Sequence, residues 1–352
     1  MPTTIRLDDP NLFLSPYVWR RSGSGDAARV DAMLPGAYMK AMVSGTTAVR
    51  ILIDGSANAG CPPASMPWVE WSVDYGPFQT LPLDRTDGVY AVTLAEGLAP
   101  ESEHRIEFFL RAADLGTRWT ESKNRLRLAG LEVDKGGKLI PFPRRPKLAI
   151  GFGDSITEGV GVESPYNGWR TLDPHNALKT WFPLLATALD CEYGQVGSSG
   201  QGMMKPGQLP PISESWSFYE EGHSRLKNGR LEPEPDYVFC NHGTNDSGLD
   251  VTPAYGKWLE SVRAACPSAR IFCVIPFLGW KRDEIGAAVA NRHKSGDKRV
   301  FLIDSGDLTQ NFSDKELPTS VAYDGVHPNA YGQALVAARL AVEVQKVLDQ
   351  KA

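Results

Sequence analysis

The chain has 352 residues, room for two domains and a sizeable core, and 37 Lys and Arg against 42 Asp and Glu leave a net charge of −5. No basic patch or acidic tail stands out, which argues against a nucleic-acid partner, and 42% hydrophobic with 22% charged residues is the balance of a globular chain. The opening Met1-Pro-Thr-Thr-Ile-Arg-Leu-Asp-Asp lacks the apolar core of a signal peptide, and no later run is long enough to cross a bilayer, so a cytoplasmic protein is expected. The five cysteines (Cys61, Cys191, Cys240, Cys266, Cys273) are odd in number and show no C-x-x-C spacing. Free, mostly buried thiols are expected.

Residues 1–140 read as all-β. Ala48–Asp54, Trp68–Asp74 and Arg105–Arg111 are short, partly alternating and rich in β-branched and aromatic residues. Turn signals punctuate them at Asp54-Gly55, Tyr75-Gly76-Pro77, Asp87-Gly88 and Glu96-Gly97. Strands at this spacing predict a sandwich rather than βαβ units. Residues 141–146, Pro-Phe-Pro-Arg-Arg-Pro, cannot occupy a central strand and stiffen the chain, so they are expected to link two domains.

From residue 147 to 352 the period changes. Apolar runs at Leu148–Phe152, Glu192–Val196, Asp236–Cys240, Ile271–Ile275 and Val300–Ile303 alternate with helical patterns at Leu178–Leu189, Pro253–Ala265, Arg282–His293 and Ala330–Leu348. That alternation predicts a parallel sheet with crossover helices, whose ligands gather beyond the carboxyl ends of the strands.

The loops at those ends carry the chemistry. Gly153-Asp154-Ser155 follows the first run, Gly197-Ser-Ser-Gly-Gln-Gly202 the second, and Asn241-His-Gly-Thr-Asn-Asp246 the third; Asp324-Gly-Val-His-Pro-Asn329 precedes the last helix. Each alone has an ordinary structural use: Asp154 or Ser155 as a helix cap, Asp324-Gly325 as a tight turn. Together they supply a nucleophile, oxyanion donors and an acid–histidine pair, the set that acyl transfer requires.

Gly-Asp-Ser-Ile-Thr-Glu-Gly, the glycine loop, Gly-Thr-Asn-Asp and Asp-Gly-Val-His-Pro, in that order, resemble the four blocks of the SGNH (GDSL-type) hydrolase superfamily. The resemblance implies a flavodoxin-like three-layer α/β/α fold and ester hydrolysis without a cofactor. It implies Ser155 as nucleophile, His327 as base and Asp324 as its acid partner. The oxyanion donors it implies are the N–H groups of Ser155 and Gly200, with Gly197 and Gly202 as neighbouring alternatives for the latter, and the amide of Asn245. The β-rich front part, with Arg127-Leu-Ala-Gly-Leu-Glu-Val-Asp, Gly136-Gly-Lys-Leu-Ile-Pro and Arg144-Arg-Pro-Lys, is similar to carbohydrate esterase family 2, which joins a jelly-roll domain to an SGNH domain. That similarity implies removal of O-acetyl groups from a small-molecule or oligosaccharide substrate. A thioesterase, lysophospholipase or arylesterase, and a glycan-binding protein with a vestigial hydrolase domain, are the other readings.

The remaining histidines lack H-x-x-x-H or carboxylate partners at ligand spacing, so no metal is expected. His242 reads as a satisfied core residue or a support for the site, and Asp154 and Asp246 as braces of their loops. Trp280, and Trp216 and Tyr219 of the 208–229 insertion, are candidates for substrate contact, since aromatic faces suit sugar rings. The loops Gly197–Gly202, Asn241–Gly248 and Ser320–Asn329 are short or polar, with no extended apolar segment to cover a long acyl chain.

Overall fold

The structure, a computed structural model, describes residues 2–114, 116, 118–120, 123–164, 171–306, 321–322 and 324–350. The chain divides into two compact units, Met1–Arg144 and Arg145–Ala352.

The first unit is built from two six-stranded sheets with every pair antiparallel. One runs Arg20–Ser22, Arg29–Ala32, Leu126–Val133, Ala48–Asp54, Val89–Glu96, with Thr3–Ile5 also beside Leu126–Val133. The other runs Lys138–Ile140, Tyr38–Ser44, Glu103–Ala112, Trp68–Val73, Gln79–Pro82, with Phe13–Leu14 beside Tyr38–Ser44. Alternate residues of each sheet are fully enclosed: Val49, Ile51 and Ile53 on one, Ile106, Phe108 and Leu110 on the other. The Trp71 indole N–H donates to Leu94 O at 2.9 Å, tying the sheets together. This is the sandwich that the short alternating runs predicted.

The second unit has a five-stranded parallel sheet: β1 (Lys147–Gly153), β2 (Cys191–Gly197), β3 (Tyr237–Asn241), β4 (Arg270–Val274) and β5 (Val300–Ile303), in the order β2-β1-β3-β4-β5. Among the described residues its helices include α1 (Ser155–Glu158), α2 (Trp181–Ala188), α3 (Thr252–Ala265), α4 (Arg282–Lys294) and α5 (Ala330–Asp349), with a further single turn at Ile212–Ser215. This is the flavodoxin-like order, with its switch point between β1 and β3. No helix among the described residues is long and apolar enough to cross a membrane.

Packing fixes β1 from both faces. On one, a Cβ at Gly151 would lie 2.6 Å from the Phe182 ring of α2, so only glycine admits that ring. Phe182 also meets Tyr193 and Phe239 at 5.8 and 5.7 Å between centroids. On the other face, Phe152 meets Trp258 of α3 edge-on at 6.0 Å. Each enclosed aromatic side chain of this size contributes about 1.5–3 kcal/mol, so the strand that delivers the nucleophile is held at the centre of the core.

The helix expected over Leu178–Leu189 is shorter. Ala177–Lys179 form a 3-10 turn and α2 begins only at Trp181. Pro183 is the reason: it has no N–H and its ring opposes the carbonyl four residues back, so it fits only in the first turn. The five cysteines are free and buried.

Candidate active site

β1 ends at Gly153, and the carboxylate of Asp154 caps α1 by accepting Ile156 N–H at 3.0 Å. Ser155 is thereby the first residue of a one-turn helix, stopped by Gly159 at φ +90°. The turn is anchored from below. Gln333 of α5 donates its Nε2 to Ile156 O at 3.0 Å, and Gln195 of β2 donates to Thr157 O at 2.5 Å.

After β2, Ser199 donates its N–H and its hydroxyl to Glu158 Oε2, at 2.8 and 2.7 Å. Gly200 then takes φ +72°, which favours glycine. Gly202 N–H donates to Lys205 O at 2.9 Å, while beside Gly197 it is the Ser198 N–H that reaches across to Gly153 O, at 3.1 Å. Among the described residues, neither the N–H of Ser155 nor that of Gly200 donates to a protein acceptor. Gly200 has its donor open, whereas that of Gly202 is used.

The loop after β3 closes on the glycine loop. Asp246 accepts the N–H groups of Met203, Met204 and Lys205 at 2.7, 2.9 and 3.1 Å, so it braces the neighbouring loop rather than its own. The Asn245 amide donates to Gln201 O at 3.1 Å and to Asp154 Oδ2 at 3.3 Å.

From the far end of the unit, Asp324 folds back on His327. Its Oδ1 accepts the N–H of Val326 and His327 at 2.9 and 2.7 Å, and its Oδ2 meets His327 Nδ1 at 2.6 Å. His327 Nε2 lies 2.8 Å from Ser155 Oγ. Burial works to raise the Asp324 carboxyl, but the hydrogen bonds and charge of His327 outweigh it and hold it at about 2. It is therefore ionised across the working range and keeps the imidazole proton on Nδ1, leaving Nε2 to accept from the serine. Three side chains separated by up to 172 positions form one hydrogen-bonded chain.

Residues 152–335 match the model of the GDSL-like lipase/acylhydrolase family, more than half of the chain. The chain belongs to this family. Its members are carboxylic ester hydrolases, and so is this acylhydrolase. No curated protein matches it. Among solved structures it is similar to a family two carbohydrate esterase from Clostridium thermocellum in complex with cellohexaose, at 21% identity and TM-score 0.76 over 96% of this chain and 99% of that one. It is similar to an acetyl xylan esterase from Butyrivibrio proteoclasticus, at 16% identity and TM-score 0.75 over 99% and 98%. A salicylyl-acyltransferase from a tetracycline biosynthetic pathway gives 16% identity and TM-score 0.63 over 99% and 98%. Identities this low bear on the fold, which is shared over both units.

The aromatic candidates of the acylhydrolase separate. Trp280 is 47% exposed and, with Gly243, Ser247, Gly248 and Lys281, lines a cavity of about 270 Å³ on the loop that carries Asn245. Trp216 is buried. It is only 4% exposed and packs edge-on to Phe152 at 6.1 Å, because an indole of that size gains more under the sheet than in water. Tyr219 is half-buried, with the Arg225 guanidinium 5.3 Å from its ring. His104 is buried in a strand and pairs with Asp74, 30 positions away, at 2.7 Å. Ser320 and Tyr323, in the last of the three loops, lie outside the described residues. Among the described residues no group of three or more His, Cys, Asp and Glu is placed to hold a metal ion.

Asp154 makes a pH prediction. Burial raises its carboxyl to about 6, against the Ile156 N–H bond and the nearby His327. A folded-state value above the ordinary 3.8 means stability that is present below 3.8 and lost as pH rises through about 6. Asp154→Asn keeps a capping oxygen but cannot ionise. Its stability relative to the parent should therefore rise between pH 4 and pH 7.5, by about 3 kcal/mol for a shift of roughly two units. Thermal unfolding at both pH values checks it; a difference that does not change with pH contradicts the assignment.

Proposed function

We propose that the protein is a serine esterase that removes acetyl groups from carbohydrate through an acyl-enzyme on Ser155. The observation that carries this reading is the chain of two hydrogen bonds, 2.8 Å from Ser155 Oγ to His327 Nε2 and 2.6 Å from His327 Nδ1 to Asp324. His327 takes the Ser155 proton as Oγ attacks the ester carbonyl. The charge that forms on the carbonyl oxygen is held by the open N–H groups of Ser155 and Gly200, joined by Asn245 as its 3.3 Å bond to Asp154 is exchanged. His327 then protonates the leaving sugar hydroxyl. Water, activated by the same imidazole, releases acetate.

The carbohydrate part of the reading is supported by two things. The likeness to family two carbohydrate esterases extends over the sandwich as well as the catalytic unit. Trp280, half exposed beside a small cavity on the Asn245 loop, offers an aromatic face of the kind sugar rings stack on.

The test is a series of 4-nitrophenyl esters from acetyl through butyryl to octanoyl, followed by acetylated oligosaccharides. Each buried methylene gains about 0.8 kcal/mol in a groove built for lipid. Here kcat/KM should instead peak at acetyl and fall with chain length, and Trp280→Ala should flatten the fall. Octanoyl esters turned over faster than acetyl esters would replace the deacetylase with a lysophospholipase or thioesterase.

A further inference from the structure

The donors proposed for the oxyanion do not hold their own places. Gln201, one residue past Gly200, is the point at which the loops after β2 and β3 meet. Its carbonyl accepts from Asn245 Nδ2 at 3.1 Å and also faces His242 Nδ1 at 3.3 Å. Its side chain donates to Pro210 O and Ser215 Oγ at 2.5 and 2.9 Å, so the residue is fixed at both ends. One carbonyl oxygen thus relates the Gly200 segment to the Asn245 side chain, and His242 supplies its second hydrogen bond.

His242 has no exposed surface. Burial lowers its imidazole to about 4, so the ring is neutral at working pH and carries a single proton. That proton belongs on Nδ1, because the atom facing it is a carbonyl oxygen that can only accept. Nε2 is left enclosed and has no hydrogen-bond partner among the described residues. An enclosed, unpaired nitrogen costs stability, and a leucine of similar volume would fill this place without it. The structure therefore holds a less stabilising side chain where it places one donor against the carbonyl that registers the site.

We infer that His242 is a positioning residue for the oxyanion site, acting through the Gln201 carbonyl that it shares with Asn245. The inference rests on the reading of Gly200 and Asn245 as oxyanion donors. It distinguishes His242 from a packing residue by the sign of two effects. His242→Leu removes the shared hydrogen bond and lets Gln201 and Asn245 shift, and displacements of an ångström or less at a reacting centre cost up to about a hundredfold in rate. The same change removes the unpaired nitrogen, so stability does not fall with activity.

The experiment compares His242→Leu and His242→Asn for 4-nitrophenyl acetate kinetics and Tm, with Asn245→Ala alongside. An asparagine amide can present its Nδ2 where the imidazole presents Nδ1. The leucine variant should lose about ten- to a hundredfold in kcat, with KM within about threefold and Tm unchanged or higher. The asparagine variant should stay within about threefold of the parent kcat. If leucine does not fold, methionine serves the same comparison. A leucine or methionine variant with parental kcat overturns the inference, as does an asparagine variant as slow as leucine. If Asn245→Ala itself leaves kcat unchanged, the oxyanion assignment fails first.

Discussion

Ser155→Ala and His327→Ala should each lower kcat by about 10⁴-fold or more with the fold intact. Nucleophile and base act as a unit: without Oγ there is nothing to acylate, and without Nε2 the hydroxyl keeps its proton. Among the described residues, the 2.8 Å bond between Ser155 Oγ and His327 Nε2 is the one that links nucleophile to base, so neither has a substitute there. The fold should survive, since Ser155 is half-buried at the end of a strand and its helix is capped by Asp154 rather than by the serine. Asp324→Asn should be milder, because an asparagine Oδ1 can still accept the N–H groups of Val326 and His327, although the ionised partner that fixes the His327 tautomer is lost. Initial rates on 4-nitrophenyl acetate, with circular dichroism of each variant, decide the matter. A tenth of the parental rate in either alanine variant contradicts the mechanism.

Asn245→Ala should lower kcat by about 10²–10³-fold with little change in KM. The oxyanion exists only along the reaction path, so its donor contributes little to the ground-state complex. In the free enzyme both Asn245 N–H groups are occupied, the stronger bond to Gln201 O at 3.1 Å and the longer to Asp154 at 3.3 Å. The proposed exchange sets the newly charged oxygen in place of the longer contact. Steady-state kcat and KM separate the possibilities: an effect confined to KM would make Asn245 a substrate-binding residue.

The parallel sheet was legible because its strands are short runs closed by glycine, asparagine or aspartate at β1, β2, β3 and β5 and by Ile275-Pro276 at β4. All five strands lie within a residue or so of their expected places. The sandwich was legible from alternation and turns, but Leu126–Val133 was not, although it pairs with three strands of its sheet. Gly130 interrupts its apolar pattern, and the reason for that glycine is remote in sequence: a Cβ there would sit 3.1 Å from Ile5 O. The same blindness hides the supports of the site. Gln195, Gln201, His242 and Gln333 bond to backbone carbonyls carried by other loops, and no spacing in sequence records such a partner. A buried polar residue inside an apolar run, as in Gly194-Gln195-Val196, is the one trace they leave. The burial of Trp216 was hidden in the same way, since its partner Phe152 lies 64 positions away.

The account turns on Ser155 as the atom that carries the acyl group. Treatment with a fluorophosphonate, which reacts with activated serines, followed by intact mass and peptide mapping, tests it directly. One phosphonyl group per chain should form, on Ser155, and hydrolysis of both 4-nitrophenyl acetate and acetylated oligosaccharide should disappear in proportion to the label. Full modification of Ser155 with hydrolysis undiminished would contradict the account.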